Sequence, residues 1–107
     1  MSSRREIQVA ETLQHLAGEY FVRESNRESL MTITRAEIAP NLKSITIFFS
    51  VLPENFEEKV LDFAKRSRSD FREYVKKHSF LHPVPMIDFE IDYGEKNRQR
   101  IDDLTRS

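Results

Sequence analysis

Apolar residues in this chain recur first every third or fourth position, then every second position, then at helical spacing again, and finally every second position once more. Val9 or Ala10, Leu13, Leu16 or Ala17, and Tyr20 share one helical face. Ser3-Arg4-Arg5-Glu6 ahead of them fits a capping box, which predicts a first helix from there to about Arg23. Residues 24–29 are polar and read as a loop. Leu30 to Ala39 and Ser44 to Leu52 are rich in Ile, Thr, Phe and Val, and Pro40-Asn41-Leu42-Lys43 between them supplies turn chemistry, so an antiparallel hairpin is predicted. Pro53-Glu54-Asn55 opens a second helical stretch, with acids in its first turn where the helix dipole favours them.

That stretch runs to about Lys77. Phe56, Val60, Phe63, Ala64, Ser67, Phe71, Tyr74 and Val75 fall on one face of it, and it is interrupted near Ser67-Arg68-Ser69. His82-Pro83-Val84-Pro85 cannot be helical, because two prolines remove donors and bias the residues before them to extended backbone. Ile87, Phe89 and Ile91 then alternate with Asp88, Glu90 and Asp92, the pattern of a half-buried strand. Beyond Tyr93 only Ile101 and Leu104 carry a weak signal. The order is helix, strand, strand, helix, helix, strand, which predicts an α+β domain with helices packed on one face of a three-stranded sheet. Residues 1–104 are expected to form this single domain, with 105–107 a short disordered tail.

Composition narrows the class. Hydrophobic residues make up 38% of 107, so the core is thin and eight Phe and three Tyr must supply much of its buried area. The absence of cysteine removes disulfides, thiolate metal sites and cysteine nucleophiles, and agrees with a cytoplasmic setting. No apolar run reaches membrane-spanning length and the first residues lack the apolar core of a secretion signal. Net charge is −1, so bulk charge does not attract a polyanion.

Charge is nonetheless concentrated locally. Lys65 to Lys77 holds six basic residues against Asp70 and Glu73. Lys65, Arg68, Arg72 and Lys76 are predicted to line the face opposite the apolar one, while Arg66 with Asp70 and Glu73 with Lys77 are i,i+4 pairs able to neutralise each other. On the residues alone an ordinary solvated helix face is the better account of such a stripe. Arg4 and Arg5 extend it or simply start a helix. His78 and His82 match zinc spacing poorly, with no third ligand nearby. Asp88, Glu90 and Asp92 are candidates for Mg²⁺, but read better as a solvated strand face that discourages edge pairing. His15 reads as a boundary residue. The strand hydroxyls, Ser50 among them, have no glycine elbow, phosphate loop or histidine–acid partnership beside them, so no enzyme is expected.

The element order is that of a type II KH fold. RNA-binding KH domains join two helices by a Gly-x-x-Gly loop that clamps nucleotide backbone, and a chain whose only glycines are Gly18 and Gly94 has none. The block Leu30-Met-Thr-Ile-Thr-Arg-Ala-Glu-Ile-Ala-Pro-Asn-Leu-Lys43, followed by Ile45-Thr-Ile-Phe-Phe-Ser-Val-Leu52, resembles the central hairpin of bacterial ribosome-binding factor A. Phe71-Arg72, Pro85-Met-Ile-Asp-Phe-Glu-Ile-Asp92 and Arg100-Ile101-Asp-Asp-Leu104 resemble that family's C-terminal signature.

The resemblance implies a type II KH-like α-β-β-α-α-β fold. It also implies a non-enzymatic, monomeric, cytoplasmic assembly factor that needs no cofactor. Such a factor binds 16S rRNA on the free small (30S) ribosomal subunit and assists rRNA processing and late maturation. In the family an Ala-x-Gly element kinks the helices where the Gly-x-x-Gly loop would be, and Ser67-Arg68-Ser69 match it here. Serine at Ser69 lacks glycine's freedom at positive φ, which argues against left-handed or sharply kinked backbone and for a shallower bend at this junction of two helices. Asn41 stands where the family often has Asp in the hairpin turn. Asp92 matches a position that the family keeps acidic, as for a local cap or turn. The implied rRNA-binding residues are Lys65, Arg66, Ser67, Arg68, Ser69, Arg72, Lys76 and Lys77. The alternative is a KH-like protein-interaction module that docks a partner without touching RNA.

Overall fold

The computed structural model of the chain describes residues 3–24 and 28–94. Its elements are α1 (Arg4–Glu24), β1 (Leu30–Ile38), β2 (Ser44–Leu52), a 3-10 turn over Glu54–Phe56, α2 (Glu57–Arg66), α3 (Arg68–His78) and β3 (Met86–Ile91). This is the type II KH-like α+β order expected from the sequence. The weak signal at Ile101 and Leu104 and the proposed tail at 105–107 lie outside the described residues.

The Ser3 half of the predicted capping box is formed, its Oγ accepting the Glu6 N–H at 3.1 Å. From there α1 buries Val9, Leu13, Leu16, Ala17 and Phe21. The sequence reading placed the end of that face on Tyr20, which is only half-buried; the buried position is its neighbour Phe21. At the other helix start the acids act in two steps, because Glu54 lies in the 3-10 turn and α2 proper begins at Glu57.

The sheet has the order β1-β2-β3, with β1 antiparallel and β3 parallel to the central strand. β2 buries Ile45, Ile47, Phe49 and Val51 on the helix side and leaves Thr46, Phe48 and Ser50 half-buried on the other. Ile87, Phe89 and Ile91 of β3 continue the buried layer, as their alternation predicted. The hairpin turn is held by the Leu42 N–H on Ala39 O at 2.9 Å and by Asn41 Oδ1 accepting the Lys43 N–H at 2.8 Å. Leu42 takes up the tight path at φ 61°.

β1 contains a bulge that the alternation reading passed over. Register moves between Ile33, opposite Phe49, and Arg35, opposite Phe48, leaving Thr34 as the extra residue. The half-buried apolar positions change parity there, from Met31 and Ile33 to Ala36 and Ile38, so the bulge keeps the strand facing the helices. It also brings Thr34 to Asp92. The Asp92 carboxylate accepts the Thr34 hydroxyl at 2.5 Å and Arg35 Nε at 3.3 Å, while its N–H bonds Phe49 O at 2.8 Å. With its side chain only 5% exposed, Asp92 is a buried charge that ties the end of β3 across β2 to β1. The expectation that Asp92 belongs to a solvated acidic face is therefore corrected.

The two helices of the second stretch meet at one residue. Ser67 sits at φ −86°, ψ 0°, a sparsely populated region that any L-residue can enter. Its N–H is shared between Phe63 O and Ala64 O at 3.0 and 3.1 Å, and its Oγ also donates to Phe63 O at 2.8 Å. Its own carbonyl accepts the Phe71 N–H at 2.8 Å and so starts the α3 ladder. The junction of two helices read at Ser67-Arg68-Ser69 is thus present and centred on Ser67, which ends α2 and begins α3 without positive φ. Ser69 is an ordinary helical residue in the first turn of α3.

Two outcomes follow for stability. Asp92→Ala leaves the Thr34 hydroxyl and Arg35 guanidinium without their shared acceptor and should cost about 2–4 kcal/mol, read as a lower urea midpoint, with Asp92→Asn losing less. Ser69→Gly should lower the melting temperature, by about 0.5 kcal/mol of stability, because glycine is a poorer helix former than serine. A rise in melting temperature would instead place left-handed backbone at that residue.

Candidate nucleic-acid interface

The basic residues of the second helical stretch separate into two sets. Lys65, at the end of α2, extends its ammonium to Asp88 Oδ1 at 3.0 Å and Glu90 Oε1 at 3.1 Å on β3. Arg68, at the start of α3, places Nη1 3.3 Å from the same Asp88 oxygen and donates Nε to Lys65 O at 2.9 Å. Arg72, one turn on, donates Nη1 to Pro85 O at 2.9 Å. These three bind the helices to the edge strand and to the segment leading into it.

The second set points away from the sheet. Arg66 is exposed, its Nε on the carbonyl of Asp62 at 3.3 Å. Lys77 is exposed and forms no ion pair with the described residues, and Ser69 is exposed beside Arg68. Lys76 is exposed too, in an i,i+3 pair with Glu73 at 3.2 Å. The predicted pairs Arg66–Asp70 and Glu73–Lys77 are not the ones formed. Arg66 turns back to its own helix, and Glu73 is taken by the nearer lysine.

The eight residues singled out in the sequence thus share one junction but differ in what they offer. Ser67 is 7% exposed and contributes shape, since its hydroxyl is spent on Phe63 O. The expectation of a stripe lying opposite the core is corrected for Lys65 and Arg72, which are half-buried, and for Arg68, which is exposed but engaged with Asp88. A helical wheel assigns them to the outer face because it takes no account of a strand edge beside the helix.

Asp88 is the hub. Its Oδ1 receives Lys65, Arg68 and, at 2.9 Å, the backbone N–H of Phe89. Partial burial pushes its carboxyl up, but the Lys65 hydrogen bond and the Phe89 N–H outweigh that and hold it below the usual range. The Asp88 hydrogen bond correspondingly raises the Lys65 ammonium, against its own partial burial. Both groups are charged at neutral pH. Sequence reasoning missed this pairing; the alternation of Asp88 and Glu90 was visible, but nothing local says which helix lies against them.

Other candidates resolve simply. His78 stacks on Tyr74 with ring centroids 4.1 Å apart, and no group of three or more His, Asp or Glu among the described residues is placed to hold a metal. His15 pairs with Glu19 one turn along α1 at 3.0 Å. No described helix is long and apolar enough to cross a membrane.

This fold recurs in known proteins. Residues 5–105 match the sequence model described as ribosome-binding factor A. A ribosome-binding factor A from Trichlorobacter lovleyi is 31% identical over 99% of this chain and 89% of its own length. That of Coxiella burnetii is 26% identical over 92% of this chain and 85% of its own. The crystal structure of ribosome-binding factor A from Thermus thermophilus superposes with a TM-score of 0.70 at 13% identity, covering 80% of this chain and 94% of the other. The solution NMR structure of a Thermotoga maritima protein gives 0.67 at 21% identity, covering 84% and 89%. These structural likenesses carry the fold, and the nearly full-length sequence match carries the family: the chain belongs to the ribosome-binding factor A family.

Proposed function

We propose that this chain is a ribosome assembly factor that binds the free small (30S) ribosomal subunit through 16S rRNA and assists rRNA processing and late maturation. The family match over residues 5–105 carries this reading. In it the protein acts by occupancy and not by catalysis, in the cytoplasm, as a monomer and without a cofactor. Residues 1–104 act as one KH-like domain, and 105–107 take no part.

The rRNA-facing surface is the α2–α3 junction, comprising Lys65, Arg66, Ser67, Arg68, Ser69, Arg72, Lys76 and Lys77. Arg66, Ser69, Lys76 and Lys77 are accessible for direct phosphate contact. Lys65, Arg68 and Arg72 stand behind them, and Ser67 shapes the break. Each lysine or arginine that meets a phosphate releases condensed counterions, so attraction stays local despite a net charge of −1. Arginine adds a planar fork able to stack on an unpaired base.

One observation favours a second reading, a protein-interaction module without RNA contact: two cations of the stripe are already paired with carboxylates of β3. Co-sedimentation with purified small subunits separates the two. The informative variant is Arg66→Glu/Lys77→Glu, because both side chains are exposed and neither is tied to the sheet, whereas charge reversal at Arg68 or Arg72 would also disturb the fold. Association of the wild type should weaken by roughly two orders of magnitude between about 50 and 200 mM salt if about four phosphates are contacted. The double variant should bind at least about tenfold more weakly while staying folded, its melting temperature lowered only modestly by the loss of cations from the last turns of α2 and α3. Association insensitive both to salt and to this charge reversal would favour the protein-interaction module.

A further inference from the structure

Asp88 and Glu90 project from β3 two residues apart, which places them roughly 7 Å from each other along the strand. That is comparable with the spacing of successive phosphates on a nucleic-acid strand. Against this pair of anions lie Lys65 and Arg68, one on each side of the Ser67 break. The local chemistry is two cations of a helix junction facing two evenly spaced negative groups, all supplied by one chain.

Resting on the small-subunit reading above, we propose that Asp88 and Glu90 are an internal competitor for RNA phosphate: they occupy Lys65 and Arg68 in the free protein and yield them when rRNA docks on the junction.

Two features make the pairing exchangeable. The four side chains are between 33% and 49% exposed, so water and a ligand reach them, and ion pairs in such a setting are worth little. Asp92, four residues on from Asp88 and 5% exposed, marks the contrast: its carboxylate is enclosed by Thr34 and Arg35 and serves as a fixed tie. In addition, Arg68 donates Nε to Lys65 O, a bond independent of Asp88 that keeps the guanidinium at the junction when the carboxylate is displaced. Asp88 keeps the Phe89 N–H, and both carboxylates can be solvated where they stand.

The competitor sets a threshold. A ligand offering an isolated negative charge gains little by displacing a carboxylate already in place, whereas a strand presenting adjacent phosphates replaces both carboxylates at once and adds Arg66, Lys76 and Lys77. The acidic face of β3 thereby decides how much anionic density a partner must bring, which net charge alone cannot do.

The test measures affinity of the full chain for purified small subunits and for 16S rRNA as a function of salt. Asp88→Asn/Glu90→Gln is compared with Glu11→Gln/Glu58→Gln, an equal change in net charge at exposed positions outside the pairing. The β3 variant should bind about tenfold more tightly than wild type at about 100 mM salt, and its salt slope should steepen by about one to two, because no internal carboxylates take up cations on release. The α1/α2 control should gain less than about threefold. Glu90→Gln alone, the smaller perturbation, should gain about threefold and keeps the question answerable if the double variant folds poorly. Equal gains in the β3 and control variants, or weaker binding by the β3 variants, would overturn the competitor while leaving salt-dependent binding of the wild type, and with it the small-subunit reading, in place. Absence of any wild-type association would remove both.

Discussion

The ring of Phe21 is where the layers of this protein are joined. It stands edge-on to Phe89 of β3 at 5.1 Å and to Phe63 of α2 at 6.0 Å, and it lies 6.1 Å from Phe71 of α3. Phe71 in turn packs edge-on to Phe89 at 5.7 Å. One side chain of α1 therefore fixes the positions of both other helices over the sheet, and burying a ring of this size contributes on the order of 1.5–3 kcal/mol before the pairwise ring geometry is added. The four fully buried phenylalanines, Phe21, Phe49, Phe71 and Phe89, are the largest side chains of the core, so the orientation of α2 and α3, and hence of every cation they carry, depends on this aromatic contact.

The same dependence explains why charge along the chain is a poor guide to charge on the surface. Reading the helices as isolated cylinders places Lys65, Arg68, Arg72 and Lys76 together and facing water. Packing by the phenylalanines instead brings the α2–α3 junction against the edge of β3, so Asp88 and Glu90 claim the first two and Pro85 O claims the third. Arg66, expected to be neutralised by Asp70, is instead left exposed. The junction is an electrostatic composite of helix and strand.

How much was legible depended on whether the determinant was local. Element order, the hairpin with its Asn41 turn and the alternation of Ile87, Phe89 and Ile91 were legible because periodicity and turn chemistry act within a few residues. The position of the helix break was legible to within two residues. The absence of positive φ there was legible too, and the device that replaces it was not: a serine with its hydroxyl on the preceding turn ends one helix and begins the next. The bulge at Thr34 left a trace, the parity change from Ile33 to Ala36, that strand alternation read by eye smooths over. The burial of Asp92 left none: its acceptor role is defined by residues 57 and 58 positions away. For the candidate site, the residue types were visible and their pairing was not.

The parallel arrangement of β2 and β3 has a consequence for where the chain can change length. Because Ser44 and Met86 are register neighbours, everything from Leu52 to Met86 is a single return path along the sheet. Its two helices together measure roughly 30 Å at 1.5 Å per residue, close to the length of β2 at roughly 3.4 Å per residue. One residue inserted in α2 would rotate Lys65 by about 100° away from β3 and carry the Ser67 break out of its pocket. The Asn41 turn, exposed at the end of the hairpin, meets no such ruler. An added residue is thus absorbed more easily at the Asn41 turn than in α2 or α3, because the α2–α3 junction is held to a fixed span by the strand it bridges.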